Sequence, residues 1–190
     1  GPGAGRCVQR DPGRSERRGG GCDAEREPDR DDLCVDTSVN TIAKVQALVD
    51  AYNVILAEAN GAAADANASV NPTAATYAAI GATTAAALST TGLALLNDTV
   101  GNRAATDVDT VGKIEALAAI AAGLMTTAAG ATPSRALTAA DFAALGITGV
   151  DSTILADVLA AIAATVDDGT AIDSVTELQE LSGRRLIADD

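Results

Sequence analysis

Histidine and tryptophan are absent from this chain of 190 residues. Losing histidine removes the commonest general base and the commonest metal ligand together. Aromatic residues make up only 2% of the chain, too few to anchor a β-sandwich core. Positive charge is scarce as well. Thirteen Lys and Arg face 26 Asp and Glu, for a net charge of −13. Nucleic acid is not an expected partner, because phosphate binding needs a basic face. The most apolar run, "IEALAAIAAGLMTTAAGA" from Ile114, carries Glu115, two Gly and two Thr. It reads as a core helix and not as a membrane span. The chain opens on Gly with no charged-then-apolar leader, so no signal peptide is expected. No Ser-His-Asp set, G-x-S-x-G elbow, P-loop or dinucleotide fingerprint occurs, and the expectation is a non-enzyme with no resident cofactor.

What is present is apolar but small. Hydrophobic residues are 47% of the chain, and Ala dominates them. Ala favours helix and fills little space, so closely packed helices are the expected fold: all-α.

One phrase recurs. "VNTIAKVQAL" begins at Val39, "VDTVGKIEAL" at Val108 and "IDSVTELQEL" at Ile172. Lys113 lies 69 residues after Lys44, and Glu177 lies 64 after Lys113. A second phrase, "PTAATYAAIGA" from Pro72, returns as "LTAADFAALGI" from Leu137, 65 residues on. Two phrases repeating in one order at about one period indicate a tandem module. Gly61 and Gly130 each stand 17 residues beyond the aligned lysine, so the length difference falls in the loop that follows.

Each module reads as three helices. In the first segment Ile42, Val45, Leu48, Val49, Tyr52, Ile55, Leu56 and Ala59 fall at spacings of three and four. Val111, Ile114, Leu117, Ala121, Leu124 and Met125 repeat that stripe. Asn40, Asp109 and Asp173 are the expected N-caps, and Gly61 and Gly130 the expected stops. A short helix follows, with Asn71 and Pro72 at one start and a Thr138–Asp141 capping box at the other. Gly81 and Gly146 end it. Asp151 caps the third helix, and its counterpart in the first copy is interrupted at Gly92. The predicted organisation is therefore module 1 over 39–107, module 2 over 108–171, and the start of a third over 172–190. That last piece should carry an unpaired apolar face of Val175, Leu178 and Leu181. Leu48, Tyr52, Leu117, Phe142 and Leu159 are the expected central contacts, and Tyr77 a further core anchor.

Residues 1–34 differ in kind. They hold seven of the thirteen basic residues and Cys7, Cys22 and Cys34, with little to bury. The segment is predicted to be disordered, or to be a non-native stretch translated out of frame. The cysteine spacing matches no zinc pattern.

Carboxylates cluster between modules. Asp167, Asp168 and Asp173 share one loop, and Asp98, Asp107 and Asp109 occupy the equivalent region. Calcium is the ion such oxygens would take, stiffening the junction. The EF-hand spacing fails, because a loop with Gly169 at its sixth position puts Val175 where Glu is required. Helix caps and a solvated turn account for the same residues.

"LTAADFAALGITGVDSTILADVLAAIAATVDDG" and "VDTVGKIEALAAI" resemble Ala-rich tandem repeats of very large bacterial surface or secreted adhesin-like proteins. The resemblance spans about residues 35–181. It implies an extracellular or cell-surface location and a non-enzymatic spacer or adhesive role, with neighbouring modules as partners. The alternative is a three-helix binding module that grips a host or partner protein on one helix face.

Overall fold

The computed structural model describes residues 41–59, 71–165 and 168–186, all within one compact unit, Thr37–Asp190. The expectations for residues 1–34, for Asn40 and Gly61 and for Asp167 lie outside the described residues. Among the described residues the structure is helical, without strands. In chain order come α1 (Ile42–Glu58), α2 (Ala74–Ala79), α3 (Thr83–Ala86) and α4 (Thr90–Gly101). A single 3-10 turn at Ala105–Asp107 leads to α5 (Val111–Ala128), α6 (Ala139–Leu145), α7 (Leu155–Thr165) and α8 (Val175–Leu186).

The helix starts follow from hydroxyl caps. Thr41 and Thr110 are the last extended residues before α1 and α5, at φ −134° and −136°. Their Oγ1 atoms accept from the N–H of Lys44 and Lys113 at 3.2 and 3.3 Å. Ser174 caps α8 likewise, with Glu177 N donating to its Oγ at 3.2 Å. The cap thus lies one residue later than Asp109 and Asp173. A carboxylate preceding the N-cap is free for other work, and Asp109 accepts from Lys113 Nζ at 2.7 Å. Asn71 and Pro72 also precede the cap of α2. There Thr73 and Thr76 bond reciprocally, each N–H donating to the other's Oγ1 at 3.1–3.2 Å. The expected box on α6 forms, with Thr138 N donating to Asp141 Oδ2 at 2.7 Å. Gly81, Gly130 and Gly146 all take positive φ, so these stops need glycine.

The expected break at Gly92 falls earlier, between α3 and α4. Ser89 caps α4 by accepting from Gly92 N at 3.1 Å, so Gly92 lies inside the first turn. It lets α4 approach α5 closely: a Cβ there would stand 3.1 Å from Met125 Cγ.

One continuous core runs from Ala51 to Leu178 and crosses residue 108 without a gap. Tyr77, Phe142 and Leu117 are buried in it, whereas Leu48, Tyr52 and Leu159 pack at its margin. Alanines fill much of the remainder, including Ala82, Ala85, Ala118, Ala121 and Ala128, each with no exposed surface. Small side chains allow this closeness, at the cost of little buried area per residue. Among the described residues only α5 is long and apolar enough to cross a membrane, and half of it is buried within the molecule.

Two apolar faces depart from expectation. On α8, Leu178 is fully buried, and Val175 and Leu181 pack against the core. The predicted open face is closed because α8 lies against α7 and α4, elements that precede it. On α1 the reverse holds. Ile42 is 90% exposed, Val45 47% and Val49 45%.

The core holds one buried polar chain. Tyr77 Oη donates to Asn97 Oδ1 at 2.8 Å, and Asn97 Nδ2 donates to the Pro72 carbonyl at 2.9 Å. Tyr77→Phe leaves the Asn97 oxygen unpaired in a dry site, which costs about 1–3 kcal/mol. Chemical denaturation should show a lower midpoint with unchanged denaturant slope. An unchanged midpoint would place this hydroxyl in water.

Candidate functional site

The acidic loop between α7 and α8 is pinned onto α4. Thr91 Oγ1 donates to the Asp168 carbonyl at 2.6 Å, and Val175 N donates to Asp98 Oδ2 at 2.6 Å. Gly169 adopts φ +94°, and any Cβ there would collide with Met125. Glycine is required for both reasons. Beside this loop lies a cavity of about 190 Å³, lined by Glu58, Asn97, Asp98, Asn102, Asp173 and Ser174 among others.

The carboxylates do approach one another. Burial pushes the Asp173 carboxyl above its ordinary range, and a hydrogen bond to Glu177 with the charges of Glu177, Asp98 and Asp168 pushes the same way. Of the calcium candidates, Asp168 is solvent-exposed and offers its carbonyl to Thr91, while Asp173 is half-buried. Asp98, expected in the equivalent junction, joins the same neighbourhood instead. Asp107 and Asp109 do not; they sit in the 3-10 turn and on Lys113. Among the described residues no group of three or more Asp, Glu, Cys or His is arranged to hold a metal ion. Two other carboxylates are held in their ionised form. Asp141 is lowered first by its hydrogen bond to Arg135, which it meets at 2.7 and 3.0 Å. Asp151 is lowered by the Thr153 hydroxyl and by the N–H groups of Thr153 and Ile154, which open the turn into α7.

A second set of polar contacts escaped sequence reasoning. Glu115 on α5 accepts from Thr84 N at 2.9 Å and Ala85 N at 3.4 Å, capping α3 from another helix. Gln179 on α8 accepts from Thr148 N at 2.8 Å and donates to the Thr148 carbonyl at 3.1 Å. Glu115 and Gln179 each lie two residues after the aligned Lys113 and Glu177. Both bind the turn that follows a short helix ended by Gly81 or Gly146. The signal was available: the repeated phrase places an acid or amide at this position every time, as Gln46, Glu115 and Gln179.

The raised Asp173 carboxyl makes a signed prediction. A folded carboxyl that holds its proton more tightly than the unfolded one destabilises the fold as pH rises through that range. Asp173→Asn should therefore raise the melting temperature at pH 7. The gain should vanish below about pH 3.9, the ordinary Asp value, where both states are protonated. A lowered melting temperature at pH 7 in calcium-containing buffer would instead identify Asp173 as a metal ligand.

Comparison with family models, with curated proteins and with solved structures finds no match to this chain.

Proposed function

We propose that residues 39–171 are two copies of one three-helix module, and that the chain is a structural or adhesive repeat segment of a bacterial cell-surface or secreted protein. The observation carrying this reading is the equivalence of polar contacts at aligned positions. Thr41 and Thr110 cap with the same atoms on the aligned lysines. Glu115 and Gln179 reach back to the same kind of turn. Each long helix is followed by a short one and then a medium one: α1, α2 and α4, then α5, α6 and α7. Shared contacts between successive copies, with a core that crosses the boundary, are how repeat arrays gain stability that single small modules lack.

The net charge of −13 suits a self-repelling, soluble exterior. The absence of histidine in the sequence and the small cavities suit a non-enzymatic role. We read α5 as a core helix, because half of it is packed inside the molecule. The surface location and the bacterial source rest on the resemblance of the Ala-rich phrases. A second reading has one observation in its favour. All three large hydrophobic side chains that are exposed among the described residues, Ile42, Val45 and Val49, lie on α1. A module that grips a partner protein on one helix face would present such a patch.

Modularity is testable by excision. Removing residues 108–171 joins Asp107 to Ile172 in register and brings α8 to the place of α5. The shortened chain should keep its helicity per residue and melt in a single cooperative transition. Loss of cooperative melting would show that α5–α7 are not an exchangeable unit.

A further inference from the structure

The three copies of the opening helix differ in which neighbours they have. α5 packs against α3 and α4, which precede it, and against α6 and α7, which follow. α8 packs on α7 and α4, both of which precede it. α1 packs on α2 and α4, both of which follow it. Burial sorts accordingly. Ile114 and Ala118 of α5 have no exposed surface, and their equivalents on α8, Leu178 and Ser182, are 0% and 1% exposed. The equivalents on α1 are Val45 and Val49, nearly half exposed. Farther along, the helices agree: Ile55 and Ala59 of α1 are as buried as Leu124 and Ala128 of α5. Preceding elements therefore cover the first half of this helix, and following elements cover the second half.

The polar contact sorts the same way. Glu115 and Gln179 bind the turn before them. Gln46, at the equivalent position of α1, instead donates to Asp50 Oδ1 of its own helix at 2.8 Å on the surface. The face of α1 thus carries the same three groups, two apolar and one hydrogen-bonding, as two interfaces already formed within this molecule.

From this we infer that the Val45–Gln46–Val49 face of α1 is a docking site for a further copy of the module. The copy would present an α7-type third helix to Val45 and Val49 and the turn after its short helix to Gln46. The occupant's chemistry is that of residues 108–171, whose α7 and Thr148 turn already receive α8. The inference rests on the modular reading above. It turns that reading into a rule of growth: each added copy covers the helix that follows it.

The test inserts a second copy of residues 108–171 ahead of Val39 in the full chain. Cys7, Cys22 and Cys34 are changed to Ser, and Val49→Cys supplies a single reporter thiol. Maleimide labelling of that thiol should slow by about tenfold or more relative to the chain without insertion, because reaction then requires local opening. Gln46→Ala should speed labelling in the longer chain and leave it unchanged in the parent. If helicity grows in proportion to length but the reporter labels as before, the docking site is refuted and modularity stands. If the insert adds no helicity, both fall. If labelling in the parent chain slows with rising protein concentration, or quickens on removing residues 1–38, the occupant is a second chain or the head, and the proposal is wrong.

Discussion

The outer half of each opening helix is closed by elements earlier in the chain, and most of the structure follows from that single packing relation. α5 lies between both kinds of neighbour and is the most buried helix, with Ile114, Leu117, Ala118, Ile120, Ala121 and Leu124 all in the core. Gly92 and Gly169 take their places because α4 and the acidic loop come close to Met125 of the same helix. Glu115 fastens the contact by supplying α3 with the acceptor its free amides need. Without a covering element the same face stays open, as α1 demonstrates.

Small side chains make the arrangement both tight and thin. A helix that presents Ala118, Ala121 and Ala128 lets neighbours come close, yet each contact buries little area. Stability must then come from many contacts shared across copies, and from a few larger anchors such as Tyr77 and Phe142. The acidic junction works against this. Asp173 pushes against Glu177, Asp98 and Asp168, and the loop is held by backbone-directed bonds from Thr91 and to Asp98 instead of by ion pairs.

Much of the helical layout is legible in the sequence, because period, caps and glycines all act locally. The stripe from Val111 to Met125, the Thr138–Asp141 box and the Gly130 and Gly146 stops follow from neighbours within a few residues. The caps are displaced by one residue because Asp and Thr adjoin in "DT", and only backbone geometry tells which of them is the last extended residue. The open face of α1 and the closed face of α8 are invisible to periodicity. Both helices carry the same stripe, and what differs is the presence of earlier or later partners. The site is less legible still. Asp98 and Asp173 meet at Val175 and around one cavity although 75 residues separate them, a meeting that depends on the packing of α4 against α8.

Native-state hydrogen exchange tests this packing relation most directly. If preceding elements close the opening helix, the amides near Leu117 and Ala118 should exchange only with global unfolding. Those from Val45 to Asp50 should exchange by local opening, orders of magnitude faster. Equal protection of the two segments would contradict the account.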